Sequence, residues 1–269
     1  MPRFAANLSM LFTELPFLDR FEAARQAGFA GVECLFPYDH PEDEVKDALS
    51  RAGLPLILIN TPAAPAAGRI GQAAIPGAEA GFQADLELAL RYAAGLAPKF
   101  IHVMAGRSEG AMAERRFCAN LEWATKAAPT QHFLIEPLNP HDMPGYFLRD
   151  FTTARRVLEQ VNAPNLHLQF DAYHAHRISG DVAGLWCEFG DLAAHIQIAG
   201  APGRHEPIPS EIDYSLFFNC LENDRYDGFV SGEYNPTGAT IDGLGWMEAP
   251  ADPPENEKGQ RFPPARSLL

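Results

Sequence analysis

Short apolar runs recur along the chain, and between them polar and apolar residues alternate at helical spacing. Strands are predicted at 3–7 (RFAAN), 31–36 (GVECLF), 55–60 (PLILIN), 99–104 (KFIHVM), 132–136 (HFLIE), 166–171 (LHLQFD), 194–199 (AHIQIA) and 228–233 (GFVSGE). Most are nearly continuous in apolar character, as expected of parallel strands covered on both faces. In FLDRFEAARQAGF, Phe17, Phe21, Ala24 and Phe29 lie toward one side of a helix, while Asp19, Arg20, Glu22 and Arg25 are polar. Gly28 ends that helix in the manner of a C-cap. PEDEVKDALSRAG repeats the form, with Pro41 early, acids in the first turn and Gly53 at the end. Further helices are predicted at 79–95, 111–128, 151–161, 181–190 and 213–223.

Eight strands alternating with helices favour an α/β fold closed as a (β/α)8 TIM barrel over an open doubly wound sheet. No Gly-rich GxGxxG or GxxxxGK follows any strand, which removes the nucleotide-binding alternatives. The chain has 269 residues, near the ~250 of one barrel, so residues 1–248 are expected to form one domain. Two segments depart from the alternation. Residues 61–81 form a long Ala/Pro/Gly loop after the third strand, expected to act as a lid over the site. The tail 249–269 is proline-rich and polar, and is expected to be irregular.

The formal net charge of −14 argues against a nucleic-acid partner and against an anionic membrane surface. No run approaches the ~20 apolar residues needed to cross a bilayer, and the N-terminus reads as a first strand rather than a signal peptide. Cys34, Cys118, Cys187 and Cys220 lie far apart without a CxxC pair, so reduced, structural thiols and a cytoplasmic location are expected.

Four of the apolar runs end on residues suited to a hard metal ion. They are Glu136, Asp171, Gln197 and Glu233, at intervals of 35, 26 and 36 residues, about one strand-plus-helix unit each. Side chains at the C-terminal ends of neighbouring barrel strands converge on one rim. Three carboxylates and one amide oxygen meeting there suit a divalent cation, Mg²⁺ or Mn²⁺. A lone acid at a strand end is commonly a helix N-cap. Several buried together are costly without a cation to compensate them. His174, placed in the loop just beyond the sixth strand, and His205 with Glu206 sit where they could bond a substrate oxygen or move a proton. Glu33 either orients other groups or forms an ordinary salt bridge, and His102 is either core filler or pocket wall.

NLSMLFTELPFLDRF, GFAGVECLFPYD, IEPLNPHDMPGYFL, QFDAYHAHR, HIQIAGAPGRHEP and GEYNPTG, in this order, closely resemble the hydroxypyruvate isomerase family. That family belongs to the xylose-isomerase-like TIM barrels, alongside the ketose 3-epimerases. The resemblance runs from about residue 3 to residue 247. It implies metal ligation by Glu136, Asp171, Gln197 and Glu233, with Glu136 and Glu233 doubling as the acid/base pair. Gln197, where the epimerases usually carry His, resembles the hydroxypyruvate isomerase branch. Gly200, Ala201, Asn235, His176 and Arg107 depart from the family pattern, and bear on the identity of the substrate rather than on the ligands.

The reaction implied is the isomerisation of hydroxypyruvate to tartronate semialdehyde by carboxylate-mediated proton transfer through an enediolate. His174 and His205 are expected at the substrate hydroxyl and carbonyl oxygens, and Arg107, Arg204 and Arg69 are candidates for its carboxylate. A 2-oxo-tetronate isomerase is the nearest alternative, followed by a ketose 3-epimerase. Two readings lie outside this chemistry: a barrel endonuclease, which the charge opposes, and a non-catalytic ligand-binding barrel. A homo-oligomer, dimer or tetramer, is expected.

Overall fold

In the computed structural model, which describes residues 2–63 and 68–248, the eight predicted strands close into one parallel barrel. They are β1 (Arg3–Asn7), β2 (Gly31–Glu33), β3 (Leu56–Asn60), β4 (Phe100–His102), β5 (His132–Ile135), β6 (Leu166–Asp171), β7 (Ala193–Ile198) and β8 (Phe229–Gly232). Each pairs with its neighbour in sequence, and β8 closes onto β1 with Arg3 opposite Phe229. Because all strands run the same way, their C-terminal ends form a single rim. The register sets Asn7 beside Glu33, Asn60 beside His102 and Asp171 beside Gln197.

The helices are α1 (Arg20–Gln26), α2 (Glu42–Ala52), α3 (Glu79–Leu96), α4 (Gly110–Ala127), α5 (Phe151–Val161), α6 (Ala172–Ser179), α7 (Val182–Phe189) and α8 (Tyr214–Asn223). Gly53 caps α2 at φ 65°, a left-handed conformation that costs glycine nothing. Asp150 caps α5 by accepting from the Thr153 amide at 2.7 Å. The helices press apolar faces onto the outside of the barrel. Phe170 on β6, for example, packs against Phe151 of α5, Trp186 of α7 and Phe217 of α8.

Two strands are half the length of their apolar runs. β2 stops at Glu33 as the chain turns into a short 3₁₀ helix, Pro37–Asp39, and β4 stops at His102. One helix was not anticipated. α6 starts directly on the residue after β6, so His174 sits in its first turn rather than in a loop.

A small apolar cluster of Ala5, Ile57, Leu58, Phe100, Leu134 and Phe229 is drawn from five strands, mostly toward their N-terminal halves. Gly31 permits the close approach there, since a Cβ would fall 2.9 Å from Ile57 and 3.0 Å from Phe229. Toward the other end, buried Asn7, Glu33, His102, Glu136, Asp171, Gln197 and Glu233 make the top of the barrel polar.

Part of the expected lid, 64–67, lies outside the described residues, as does the 249–269 tail. The portion that follows docks on the exit of β4: the Ala74 amide donates to the Ala105 carbonyl at 2.7 Å, and Asn120 donates to the Ala73 carbonyl at 2.8 Å. Among the described residues no helix is long and apolar enough to cross a membrane.

Candidate active site

Each rim residue is placed by the strand it terminates. Glu136 follows β5 directly, Asp171 ends β6, Gln197 is the penultimate residue of β7, and Glu233 follows β8. All four are buried. Glu136 accepts from Gln169 Nε2 at 2.9 Å through Oε2, while its buried Oε1 has no hydrogen-bond partner among the described residues. Asp171 spends Oδ1 on capping α6, accepting from the Tyr173 and His174 amides at 2.7 and 3.3 Å. Its Oδ2 lies 3.3 Å from Arg204 Nη2. Glu233 accepts from the same Arg204 Nη2 at 2.6 Å and from Asn7 Nδ2 at 3.2 Å. Gln197 accepts from Gln169 Nε2 at 2.6 Å and donates to Glu33 Oε2 at 2.9 Å.

Electrostatics follow from this crowding. Burial raises the Glu136 carboxyl well above the usual range, helped by the negative charges of Glu233 and Asp171. Burial likewise pushes Glu233 up to about 8, with Asp171 and Glu33 adding to the rise and Arg204 opposing it. The Arg204 guanidinium, 23% exposed and 5.1 Å above the Tyr173 ring, is the cation among these carboxylates. Burial pushes His102, 3.6 Å from Glu136, down to about 3, so it is neutral.

His174 is also neutral. Burial pushes it down to about 3, with Arg204 and His102 adding to the fall and Asp171 opposing it. Its Nδ1 accepts from the Asn139 backbone amide at 3.1 Å. The ring proton therefore sits on Nε2, 3.7 Å from Asp171 Oδ2. Glu136, Asp171 and His174 each bring one potential ligand atom within 4.8 Å of the others. The tautomer sets His174 apart: with Nδ1 accepting, Nε2–H is a donor rather than a lone pair for a metal.

Glu136, Asp171, Gln197 and Glu233 match a hard divalent cation in donor type, although Glu233 falls outside the group of ligand atoms within 4.8 Å of one another. All offer oxygen, the carboxylates outnumber the one arginine beside them, and Glu136 Oε1 is left buried without a partner among the described residues. The other expected residues are placed differently. His205 is exposed, with Nδ1 2.8 Å from the Asn235 carbonyl. Arg69 pairs with Asp85 at 2.5 Å. Arg107 is exposed and donates to the Gly68 and Pro144 carbonyls at 3.0 and 3.2 Å. Of the three candidate arginines, Arg204 is the one that reaches the rim carboxylates.

Asn7, Gln169 and His195 also line the rim network without standing out as candidates in the sequence. The last two precede Asp171 and Gln197 by two residues, the spacing that puts side chains on one face of a strand. That period was the available signal. His195 Nε2 pairs tightly with Glu33 Oε1 inside the barrel.

The chain matches the family model described as xylose isomerase-like TIM barrel over residues 21–249. It is 45% identical to the 2-oxo-tetronate isomerase of Cupriavidus necator, over 92% of this chain and 98% of that one. To the hydroxypyruvate isomerase of Escherichia coli it is 40% identical, over 92% and 99%. A crystal structure from Brucella melitensis, named AP endonuclease, family 2, superposes with a TM-score of 0.88 at 43% identity, covering 92% and 98%. The chain thus belongs to the xylose isomerase-like TIM barrel family, in the group whose relatives are named hydroxypyruvate isomerase and 2-oxo-tetronate isomerase.

Proposed function

We propose that this isomerase moves the carbonyl of a small 3-hydroxy-2-oxo acid from C2 to C3, with hydroxypyruvate, giving tartronate semialdehyde, as the substrate. The observation that carries this reading is the pair of buried carboxylates, Glu136 and Glu233, at the rim with Arg204 and the Nε2–H of His174 beside them.

Glu136 and Glu233 are buried carboxyl groups at the rim, able to take and return a proton there. One takes the proton from C3. The C–H electrons form the C2–C3 double bond, and those of the C2 carbonyl move onto its oxygen, giving an enediolate. A carboxyl group returns a proton to C2, the C3 carbonyl forms, and the 3-hydroxyl proton is balanced by one gained at the C2 oxygen. His174 Nε2–H faces the site as a donor for a substrate oxygen. Arg204 serves the substrate carboxylate, a planar anion that suits a guanidinium fork. Glu136, Asp171, Gln197 and Glu233 would hold Mg²⁺ or Mn²⁺. Such an ion supplies positive charge beside the developing oxyanion, worth several kcal/mol.

A second reading is favoured by the relatives from Cupriavidus necator and Haemophilus influenzae, both named 2-oxo-tetronate isomerase, at 45% and 42% identity. The four-carbon acid carries the same reacting carbons with a hydroxymethyl group on C3, so the proton transfer is unchanged. Endonuclease action, suggested by the name of the Brucella protein, is opposed by the net charge of −14, which repels a phosphate backbone. The test is kcat/KM with Mg²⁺ or Mn²⁺ on the three- and four-carbon acids side by side. A higher value for hydroxypyruvate supports the reading, a higher value for the tetronate moves the substrate, and turnover of neither sinks the proposal.

A further inference from the structure

Four of the buried amides and carboxylates beneath the rim form one hydrogen-bonded chain with the two glutamates. Gln169 Nε2 donates to Glu136 Oε2 and to Gln197 Oε1; Gln197 Nε2 donates to Glu33 Oε2; Asn7 Nδ2 donates to Glu33 Oε2 at 3.1 Å and to Glu233 Oε1. Amides are ambiguous, since either end can face a neighbour. Here their directions are set by groups that cannot flip. Asn7 Oδ1 accepts the Ser9 backbone amide at 3.1 Å, which turns Nδ2 toward the two carboxylates. The Glu33 carboxylate, oxygen at both ends, takes the nitrogen end of Gln197 and so leaves its oxygen end on the opposite side. His195 Nε2 holds the other Glu33 oxygen, and Glu33, Asn7, Gln197 and His195 are all fully buried.

We propose that Glu33 is a positioning residue: it fixes the Gln197 amide with its oxygen available to a cation, and through Asn7 it aims the Glu233 carboxylate. The inference rests on the proposed cation site. Without the Glu33 carboxylate, the Gln169 donor alone holds the oxygen end of Gln197, and an NH₂ group turned to the site in its place repels a cation. Second-layer partners of metal ligands typically govern affinity by 10–100-fold.

The test is Mn²⁺ affinity, measured by electron paramagnetic resonance of free Mn²⁺ in titrations of wild type, Glu33→Gln and Asn7→Ala. Circular dichroism and Tm report separately on folding. Glu33→Gln is expected to weaken Mn²⁺ binding by about 10–100-fold, and Asn7→Ala by a smaller factor. In a Gln197→His background, which has no amide to orient, Glu33→Gln should cost less than in wild type. A folded Glu33→Gln protein that binds Mn²⁺ as wild type does overturns the inference, as does an equal loss in both backgrounds. If Glu33→Gln does not fold, unchanged affinity in Asn7→Ala overturns it instead. Wild-type protein that binds no Mn²⁺ fails at an earlier point, because it removes the cation reading itself.

Discussion

The two halves of the barrel present different rims. β5 to β8 bring Glu136, Asp171, Gln197 and Glu233, three carboxylates and an amide oxygen. β1 to β4 bring Asn7, Glu33, Asn60 and His102, of which Glu33 is the one carboxylate and is taken up by His195, Gln197 and Asn7. Both sets are buried. The second half concentrates carboxyl groups, with Arg204 the arginine beside them among the described residues. The first half supplies the Asn7 amide, which donates to Glu233, and the Glu33 carboxylate, which accepts from Gln197. A closed barrel permits this division because β1 adjoins β8, so that Asn7 reaches Glu233 at 3.2 Å across the seam.

Chelation of divalent cations should have the largest effect. Protein stripped with EDTA should lose turnover to background and regain it with Mg²⁺ or Mn²⁺; full activity in verified metal-free protein contradicts the reading. Next come the second-half carboxylates. Glu136→Gln or Glu233→Gln should lower kcat by about 10³–10⁴-fold, the upper range of general acid–base catalysis, with circular dichroism unchanged. Near-normal activity in either folded variant removes the assignment. His174→Asn should cost less, about 10²-fold in kcat/KM, the scale of one lost donor at a developing oxyanion.

A subtler effect is on stability. The folded metal-free protein holds the Glu233 proton up to about 8, whereas an unfolded carboxyl releases it near 4.5. Stability from this group is therefore complete below about pH 4.5 and is lost as pH rises through about 8. Glu136, raised by the same burial, acts with the same sign. Calorimetry of metal-free protein should show Tm falling across that window, and added Mn²⁺ should offset the fall. A Tm that climbs with pH would contradict the burial argument. Smallest of all, Arg107→Ala should leave kcat/KM within about twofold, since among the described residues this exposed side chain bonds only loop carbonyls, as a surface change away from special features does. A loss above about tenfold would put Arg107 in the site.

Most of the barrel was legible because its strands are buried on both faces and therefore continuous in apolar character. The rim residues stood out as polar endings to those runs. What escaped was polarity hidden inside the runs: Gln169 and His195 read as interruptions of LHLQFD and AHIQIA, though they face the interior with Asp171 and Gln197. α6 escaped because Asp171 ends a strand and caps a helix at once, leaving no loop to mark the change. The choice among arginines was not legible either. Arg204 reaches Asp171 and Glu233 from a backbone at φ 55°, on a loop folded back by the bridge between Gly200 and His205, a path that no linear pattern encodes.

Whether a carboxylate carries the proton between carbons shows in the origin of the C2 hydrogen in the product. Hydroxypyruvate is converted in D₂O by the Mn²⁺-loaded protein, and the tartronate semialdehyde is reduced as it forms by a coupled reductase and NADH. Proton transfer through Glu136 and Glu233 predicts deuterium at C2, because a carboxyl proton exchanges with solvent. Product whose C2 hydrogen comes entirely from C3 would mean a hydride shift or one base closed off from solvent, and would contradict transfer through Glu136 and Glu233.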